Sequence, residues 1–144
     1  MKRVLLKIAY DGTNYHGWQL QNNAVTVAGV LEESLERLLG VKTSVTGCSR
    51  TDSGVHANEF CCNFRTDKQM PCDTVVRALN AKLPLDIVVL GCEEVPLEFH
   101  ARFDTKSKEY IYKIWNSELR NPFLLDTVFQ YKYKLDESEL DKSA

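Results

Sequence analysis

The chain has 144 residues, of which 44% are hydrophobic and 26% charged, and its formal net charge is −2. This balance is typical of one globular domain with a buried core and excludes a disordered segment. The net charge gives no indication of a nucleic-acid partner. The first residues alternate apolar and charged side chains, so we expect neither a signal peptide nor a membrane span.

Five cysteines are present, and no two of them form a C-x-x-C pair. Their odd number and spacing predict neither a zinc site nor a closed disulfide framework, and favour reduced, mostly buried thiols in a cytoplasmic protein. The three histidines lack the spacing of metal ligands, so no metal site is predicted. The cysteines are Cys48, Cys61, Cys62, Cys72 and Cys92, and the histidines are His16, His56 and His100.

The first third of the chain predicts a strand, a loop and a helix. Residues 3–11 alternate apolar and polar side chains with the period of a half-exposed strand. Residues 12–23 are rich in Gly, Asn and Gln and predict a loop. Thr26 is then placed to cap a helix with one apolar stripe, which Gly40 ends.

The middle of the chain predicts two antiparallel strands and a second helix. Residues 43–49 read as a strand that delivers Arg50 and Asp52 to its end, and residues 58–66 as its neighbour. Asp73 is predicted to cap a helix that continues to about Lys82, before Pro84.

The last third predicts further strands over residues 87–95 and 106–116, and residues 136–144 resemble the first turns of a helix cut short. The resulting order, βαββαββ, favours an α+β fold with helices on one face of an antiparallel sheet. This arrangement is similar to the ferredoxin-like and RNA-recognition-motif folds.

Residues 49–57 (SRTDSGVHA) place a guanidinium and a carboxylate in one turn-prone loop. Ser53 and Gly54 favour a tight connection that aims the carboxylate of Asp52 into a cleft beside Arg50. This is the geometry of a poised nucleophile. The alternative is a solvated turn in which both side chains face water, since exposed pairs contribute little to stability.

The same run resembles the signature of the tRNA pseudouridine synthase A family, and four other segments resemble that family in the same order. They are residues 10–21 (YDGTNYHGWQLQ), 80–87 (NAKLPLDI), 99–103 (FHARF) and 108–112 (KEYIY). The resemblance implies an isomerase that converts uridine to pseudouridine in tRNA, on the 3′ side of the anticodon stem-loop. It implies no cofactor, and it implies a homodimer that holds the RNA.

Three residues match the family's catalytic positions. Asp52 matches the catalytic aspartate, whose carboxylate attacks C1′, abstracts a proton from C2′ or adds to C6 of the ring. Arg50 matches the arginine near it, which keeps the carboxylate ionised or fills the space left by a flipped nucleotide. Tyr110 matches the aromatic residue against the target base, although a core aromatic on a strand is an equally good reading of the residue alone.

Five further residues are candidates for substrate binding. Tyr15, Trp18 and Gln19 belong to the loop after the first strand, where they cover RNA or hold the catalytic loop, while simple packing is an equal alternative for Trp18. Arg102 reaches a phosphate or braces the Asp52 loop from the strand beneath it. His56 lies in the Asp52 segment, where we expect it to shape the turn more than to take part in the chemistry.

The chain departs from the family pattern in two ways. Family members carry a second half that completes the cleft, so we expect residues 1–117 to form the catalytic-aspartate domain and residues 118–144 to begin a connection to a missing domain. Ser49 and Ser53 stand where Gly and Ala are common. Two alternatives remain. One is a non-catalytic RNA-binding module that stacks bases on Tyr110 and Tyr112. The other is a ferredoxin-like regulatory domain for small molecules, although this sequence contains no glycine loop that would bind a phosphate and no ligand cluster.

Overall fold

A computed structural model describes residues 1–143, which form two compact units, Met1–Lys106 and residues 107–143. The predicted domain boundary at residue 117 stays a prediction. Among the described residues, no helix combines the length and the apolar character that crossing a bilayer requires.

The first unit contains a four-stranded antiparallel sheet with the strand order β2-β3-β1-β4. The element order βαββαβ and this strand order confirm the predicted α+β, ferredoxin-like class. The elements are β1 (Lys2–Tyr10), α1 (Val27–Leu39), β2 (Thr46–Gly47), β3 (Ala57–Thr66), α2 (Cys72–Lys82), β4 (Ile87–Val95) and α3 (Ala101–Asp104).

The core lies between one face of the sheet and the helices α1 and α2. Alternate residues of β1 are buried, as the period of a strand requires, while Lys7 between them is exposed. The same cluster takes in apolar residues from both helices. Its fully buried side chains include Leu6, Ile8, Leu31, Leu35, Phe64 and Leu79.

Helix α1 has the two ends that the sequence predicts. The Thr26 side chain accepts a hydrogen bond from the backbone N–H of Gly29, which satisfies one of the donors left free at a helix start. Gly40 follows the last residue in the left-handed conformation, with φ of 79°.

The predicted cap of α2 is wrong. The helix begins at Cys72 after Pro71, which makes no side-chain capping bond, and Asp73 lies inside the first turn. There its carboxylate still interacts favourably with the helix dipole, so the acidic residue marks the start without capping it. The helix ends at Lys82, as predicted.

The strand predicted over residues 43–49 is reduced to Thr46–Gly47. This pair is held by its register with Asn63 and Cys62 of β3, and within residues 1–143 no other strand lies on its outer side. An edge strand extends only as far as it pairs with its single neighbour, and residues 43–45 do not pair with β3.

A third helix lies on the other face of the sheet. α3 contacts β2 and β3, and the backbone N–H of Ala101 donates to Oδ1 of Asn63 over 2.8 Å. Asn63 is buried, although it points away from α1 and α2 in the alternation of β3. The expectation of helices on one face therefore holds for the two long helices and not for this four-residue helix.

The second unit contains a two-stranded parallel ladder of β5 (Ile114–Asn116) and β6 (Phe129–Tyr131), followed by α4 (Glu137–Ser143). The long strand predicted over residues 106–116 is wrong before Ile114, because residues 106–113 have no neighbouring strand to pair with in the described part of the chain. The helix predicted over residues 136–144 is present through Ser143, and Ala144 lies outside the described residues.

All five cysteines are free thiols. Cys48 and Cys62 are buried, and the other three are half-buried. Complete burial raises the pKa of the Cys62 thiol well above its ordinary value, because the thiolate would have to form without water around it.

We expect Thr26→Ala to lower the free energy of unfolding by about 1 kcal/mol, because it removes the oxygen that accepts from Gly29. Thr26→Ser is the matched control, since it keeps that oxygen. Urea unfolding of the three proteins measures the effect. Equal losses in both variants would show that the methyl group, and not the cap, is responsible.

Candidate active site

The residues singled out by the sequence lie at one end of the sheet, where two loops meet. Because β1 and β3 are antiparallel, the end of β1 lies beside the start of β3, and Tyr10 pairs with Ala57. The loop that follows β1 therefore packs against the loop that precedes β3, which carries Asp52. We call the segment 48–56 the Asp52 loop.

Thr51 is held from two sides. The backbone N–H of Trp18 donates to its carbonyl oxygen over 3.2 Å, and its Oγ1 lies 2.8 Å from the hydroxyl of Tyr10. The approach requires glycine at position 17, where a Cβ would stand 2.4 Å from the Thr51 carbonyl oxygen and where φ is +81°. The residue before Asp52 is thus fixed by backbone and side chain together.

The residues after Asp52 are held by Tyr15. Its carbonyl oxygen accepts from the N–H of Gly54 over 3.2 Å and from the hydroxyl of Ser53 over 3.3 Å. The N–H of Val55 closes a turn onto the carbonyl of Asp52, with Gly54 at φ of 79°. Asp52 therefore stands between two anchored neighbours.

His56 shapes the end of the same loop. Its Nδ1 accepts from the backbone N–H of Gly12 over 2.9 Å and lies 3.2 Å from Oδ1 of Asp11. These two contacts place the ring between the backbone of Gly12 and the carboxylate of Asp11. Hydrogen bonds from the side chain and backbone of Thr13 lower the pKa of Asp11, so this carboxylate is ionised beside the ring.

Two aromatic side chains anchor the loop after β1. Tyr15 and Trp18 are 5% and 4% exposed, and the Trp18 ring packs on Phe60 with 4.5 Å between centroids. The Tyr15 hydroxyl donates to Oδ1 of Asp86 over 2.5 Å. Its pKa is raised, first by burial and then by this bond to a carboxylate. In this structure both rings hold the loop and neither offers a face to a ligand.

Arg50 and Asp52 are both exposed, and within residues 1–143 they form no ion pair with each other. The expected carboxylate beside a fixed guanidinium is not realised here, because an exposed pair gains little when water solvates both charges. What the structure fixes is the backbone at Asp52, with the carboxylate open to a ligand.

The remaining candidates are distributed more widely. Gln19 is exposed next to Trp18. Arg102 is exposed on α3, a helix and not the strand expected beneath the Asp52 loop. Tyr110 belongs to the second unit, where it is 65% exposed and lies outside any strand.

Sequence reasoning missed three contributors to this site. Tyr10 was predicted as a strand residue and Gly17 as a loop glycine, both within the segment 10–21, and Asp86 as part of the segment 80–87; none of the three was given a role in the site. The glycines of the first loop were the available signal, since a close backbone approach requires glycine. No local pattern indicates the bond between Tyr10 and Thr51, which are 41 residues apart.

Comparison with known proteins gives consistent results. The family model described as tRNA pseudouridine synthase matches residues 7–104. The chain is similar to proteins named tRNA pseudouridine synthase A. In Aquifex aeolicus the identity is 46%, over 94% of this chain and 56% of that protein. In Clostridium acetobutylicum the identity is 49%, over 94% of this chain and 56% of that protein. In Ruminiclostridium cellulolyticum the identity is 46%, over 100% of this chain and 59% of that protein. The chain thus spans less than two thirds of these curated relatives.

We expect Gly17→Ala to release the Asp52 loop, because the added methyl group collides with the carbonyl of Thr51. Amide hydrogen exchange at Gly54 should accelerate by about tenfold or more. Gly40→Ala is the matched control, since φ there is +79° and no atom lies within 4 Å of the added carbon. Equal acceleration at Gly54 in both variants would attribute the effect to backbone strain alone.

We expect Tyr10 to make stability pH-dependent. Burial raises its pKa from 10.0 to about 12, so the stability contributed by the neutral phenol is complete below pH 10 and lost as pH rises towards 12. From about pH 9 to about pH 11, the wild type should lose about 1 kcal/mol more than Tyr10→Phe. Urea unfolding at both pH values measures this, and parallel losses would contradict it.

Proposed function

The chain belongs to the tRNA pseudouridine synthase family, and on that premise we propose that it carries the catalytic aspartate of an enzyme that isomerises uridine to pseudouridine in tRNA. The family match over residues 7–104 includes the whole Asp52 loop. The observation that carries the proposal is the anchoring of that loop: Thr51 and Gly54 are hydrogen-bonded to the loop after β1, while the carboxylate between them is exposed. Such an arrangement presents a nucleophile in a fixed direction.

The reaction breaks the bond between N1 and C1′ of the nucleotide, forms a bond between C5 and C1′, releases the hydrogen of C5 as a proton and leaves a proton on N1. It changes no oxidation state, so it requires no oxidant or reductant. Asp52 acts as the nucleophile or base, by attack at C1′, proton abstraction at C2′ or addition at C6. Arg50 acts beside it, either on the carboxylate or in the space left by the extruded nucleotide.

Uridine in a stacked stem is not accessible to a carboxylate on a loop, so the reaction requires extrusion of the base. Tyr110 supplies an aromatic face for the extruded base and a hydroxyl for proton transfer. Gln19 and Arg102 are exposed and contribute contacts to the RNA, and Arg102 is suited to bidentate binding of a phosphate.

The finer features of the proposal follow from family resemblance. They are a site on the 3′ side of the anticodon stem-loop and a homodimer that holds the RNA. We propose a cytoplasmic location from the free cysteines. The chain spans 56% to 59% of the length of the three relatives compared. The activity is therefore proposed for the whole protein, to which these residues contribute the aspartate.

A second candidate is an RNA-binding module without catalysis. The observation in its favour is the exposure of Tyr110 and Tyr112, at 65% and 90%, because exposed rings stack on unpaired bases. This alternative predicts RNA binding that does not depend on Asp52 and gives no reason for an anchored loop around a carboxylate.

We expect Asp52→Asn in the full-length protein to reduce pseudouridine formation by at least about a thousandfold, because the amide is no nucleophile. Release of tritium from tRNA labelled at C5 of uridine measures the reaction. Asp73→Asn, an exposed carboxylate on α2, is the matched control and should retain full activity. Binding of tRNA should be nearly the same in all three proteins.

Two outcomes would contradict the proposal. Tritium release unchanged by Asp52→Asn would remove the aspartate from the mechanism. Failure of the full-length wild type to release tritium, with tRNA binding intact, would favour the RNA-binding module.

A further inference from the structure

A cavity of about 470 Å³ opens at the end of the sheet where β1 begins. Arg3 lines it, seven residues before Tyr10 on the same strand. At about 3.3 Å per residue, the cavity lies roughly 20 Å along β1 from the Asp52 loop. It is therefore separate from the candidate active site, and we call it the Arg3 cavity.

The walls of the Arg3 cavity are strongly cationic. Arg3, Lys42 and Arg65 all line it, and the single acidic residue in its described lining, Asp67, is paired with the amino group of Met1 over 3.3 Å. Lys42 and Arg65 are exposed and form no ion pair within residues 1–143. Three positive side chains around one concavity concentrate a field that attracts anions.

The guanidinium of Arg3 is incompletely satisfied. The side chain is 7% exposed, and one terminal nitrogen donates to the backbone carbonyl of Phe99. Its Nε has no hydrogen-bond partner among the described residues. A buried charge without a full set of acceptors is unfavourable, so the positive charge of Arg3 favours a negatively charged occupant in the cavity beside it.

Neutral donors complete the lining. Thr43, Ser44, Thr46 and Asn63 also line it; the Thr43 hydroxyl donates to the carbonyl of Val41, and Oδ1 of Asn63 accepts from Ala101. A planar guanidinium, two exposed cations and the hydroxyl-bearing residues Ser44 and Thr46 match a group with many oxygen atoms around one centre. A phosphate fits this set better than a carboxylate, which has only two oxygens.

We propose that the Arg3 cavity binds a backbone phosphate of the RNA substrate, at a distance from the Asp52 loop that lets one RNA occupy both sites. The inference rests on the proposed function for its choice of RNA. The cavity positions the RNA and takes no part in the chemistry, because it lies too far from Asp52 to touch the reacting nucleotide.

The test compares two double variants of the full-length protein with the same charge change. Lys42→Ala with Arg65→Ala removes the exposed cations of the cavity, and Arg77→Ala with Lys82→Ala removes two exposed cations from α2. Affinity for tRNA is measured over a series of salt concentrations. We expect the cavity variant to bind about tenfold more weakly, with a salt slope smaller by about one, and the α2 variant to match the wild type.

Arg3→Lys tests the buried residue itself, because it keeps the charge and removes Nε. Once thermal unfolding shows that the variant folds, its tRNA affinity should also fall by about tenfold. If the cavity double variant and Arg3→Lys both bind tRNA as tightly as the wild type does, the proposal is overturned. An equal loss in the α2 variant would overturn it too, since the effect would then be general and not local.

Inorganic phosphate distinguishes a free anion from RNA as the occupant. If it stabilises the wild type against heat more than the cavity variant, at matched ionic strength, while tRNA affinity is unaffected by the cavity substitutions, the RNA assignment is overturned. Tritium release at saturating tRNA separates this proposal from the function. Failure of the wild type to release tritium contradicts the synthase, whereas dependence of tRNA affinity on the cavity still supports the phosphate site.

Discussion

The contact between Gly17 and the carbonyl of Thr51 is the constraint on which the candidate site depends. A Cβ at position 17 would lie 2.4 Å from that oxygen, so two backbones meet with no side chain between them. The same short segment supports α1, because the carbonyls of Gly17 and Trp18 accept from the N–H groups of Val27 and Ala28. These bonds satisfy donors that a helix start leaves free. Helix, loop and Asp52 loop therefore form one hydrogen-bonded unit, and a displacement of any part is transmitted to the others.

Burial separates the groups that hold the site from the groups available for chemistry. The Tyr10, Tyr15 and Trp18 side chains are at most 5% exposed, and each packs or hydrogen-bonds within the first unit. Asp52 and Arg50 are exposed on the backbone that these rings support. Rigidity is thus supplied by buried side chains. A carboxylate so presented keeps its direction without the cost of burying its charge.

Local signals predicted the parts of the fold that local forces determine. Thr26 and Gly40 define α1 because a cap and a left-handed residue act within a few residues of the helix. β2 and the strand predicted over residues 106–116 were overestimated, since a strand extends only where a partner pairs with it. The signature around Asp52 located the loop, but the partners that hold Thr51 lie 33 and 41 residues away in sequence. Contacts at that separation depend on the packed sheet, and periodicity carries no information about them.

The complete burial of Cys62 makes its thiol a reporter of how often the sheet opens. Its thiol stands on β3 opposite Leu6 of β1, with no exposed surface and a raised pKa. Alkylating reagents react with the thiolate, so they modify this position only after the central strands separate. Cys61, its half-buried neighbour on the opposite face, is accessible without that event. The ratio of the two labelling rates in one protein therefore measures how rarely the middle of the sheet opens.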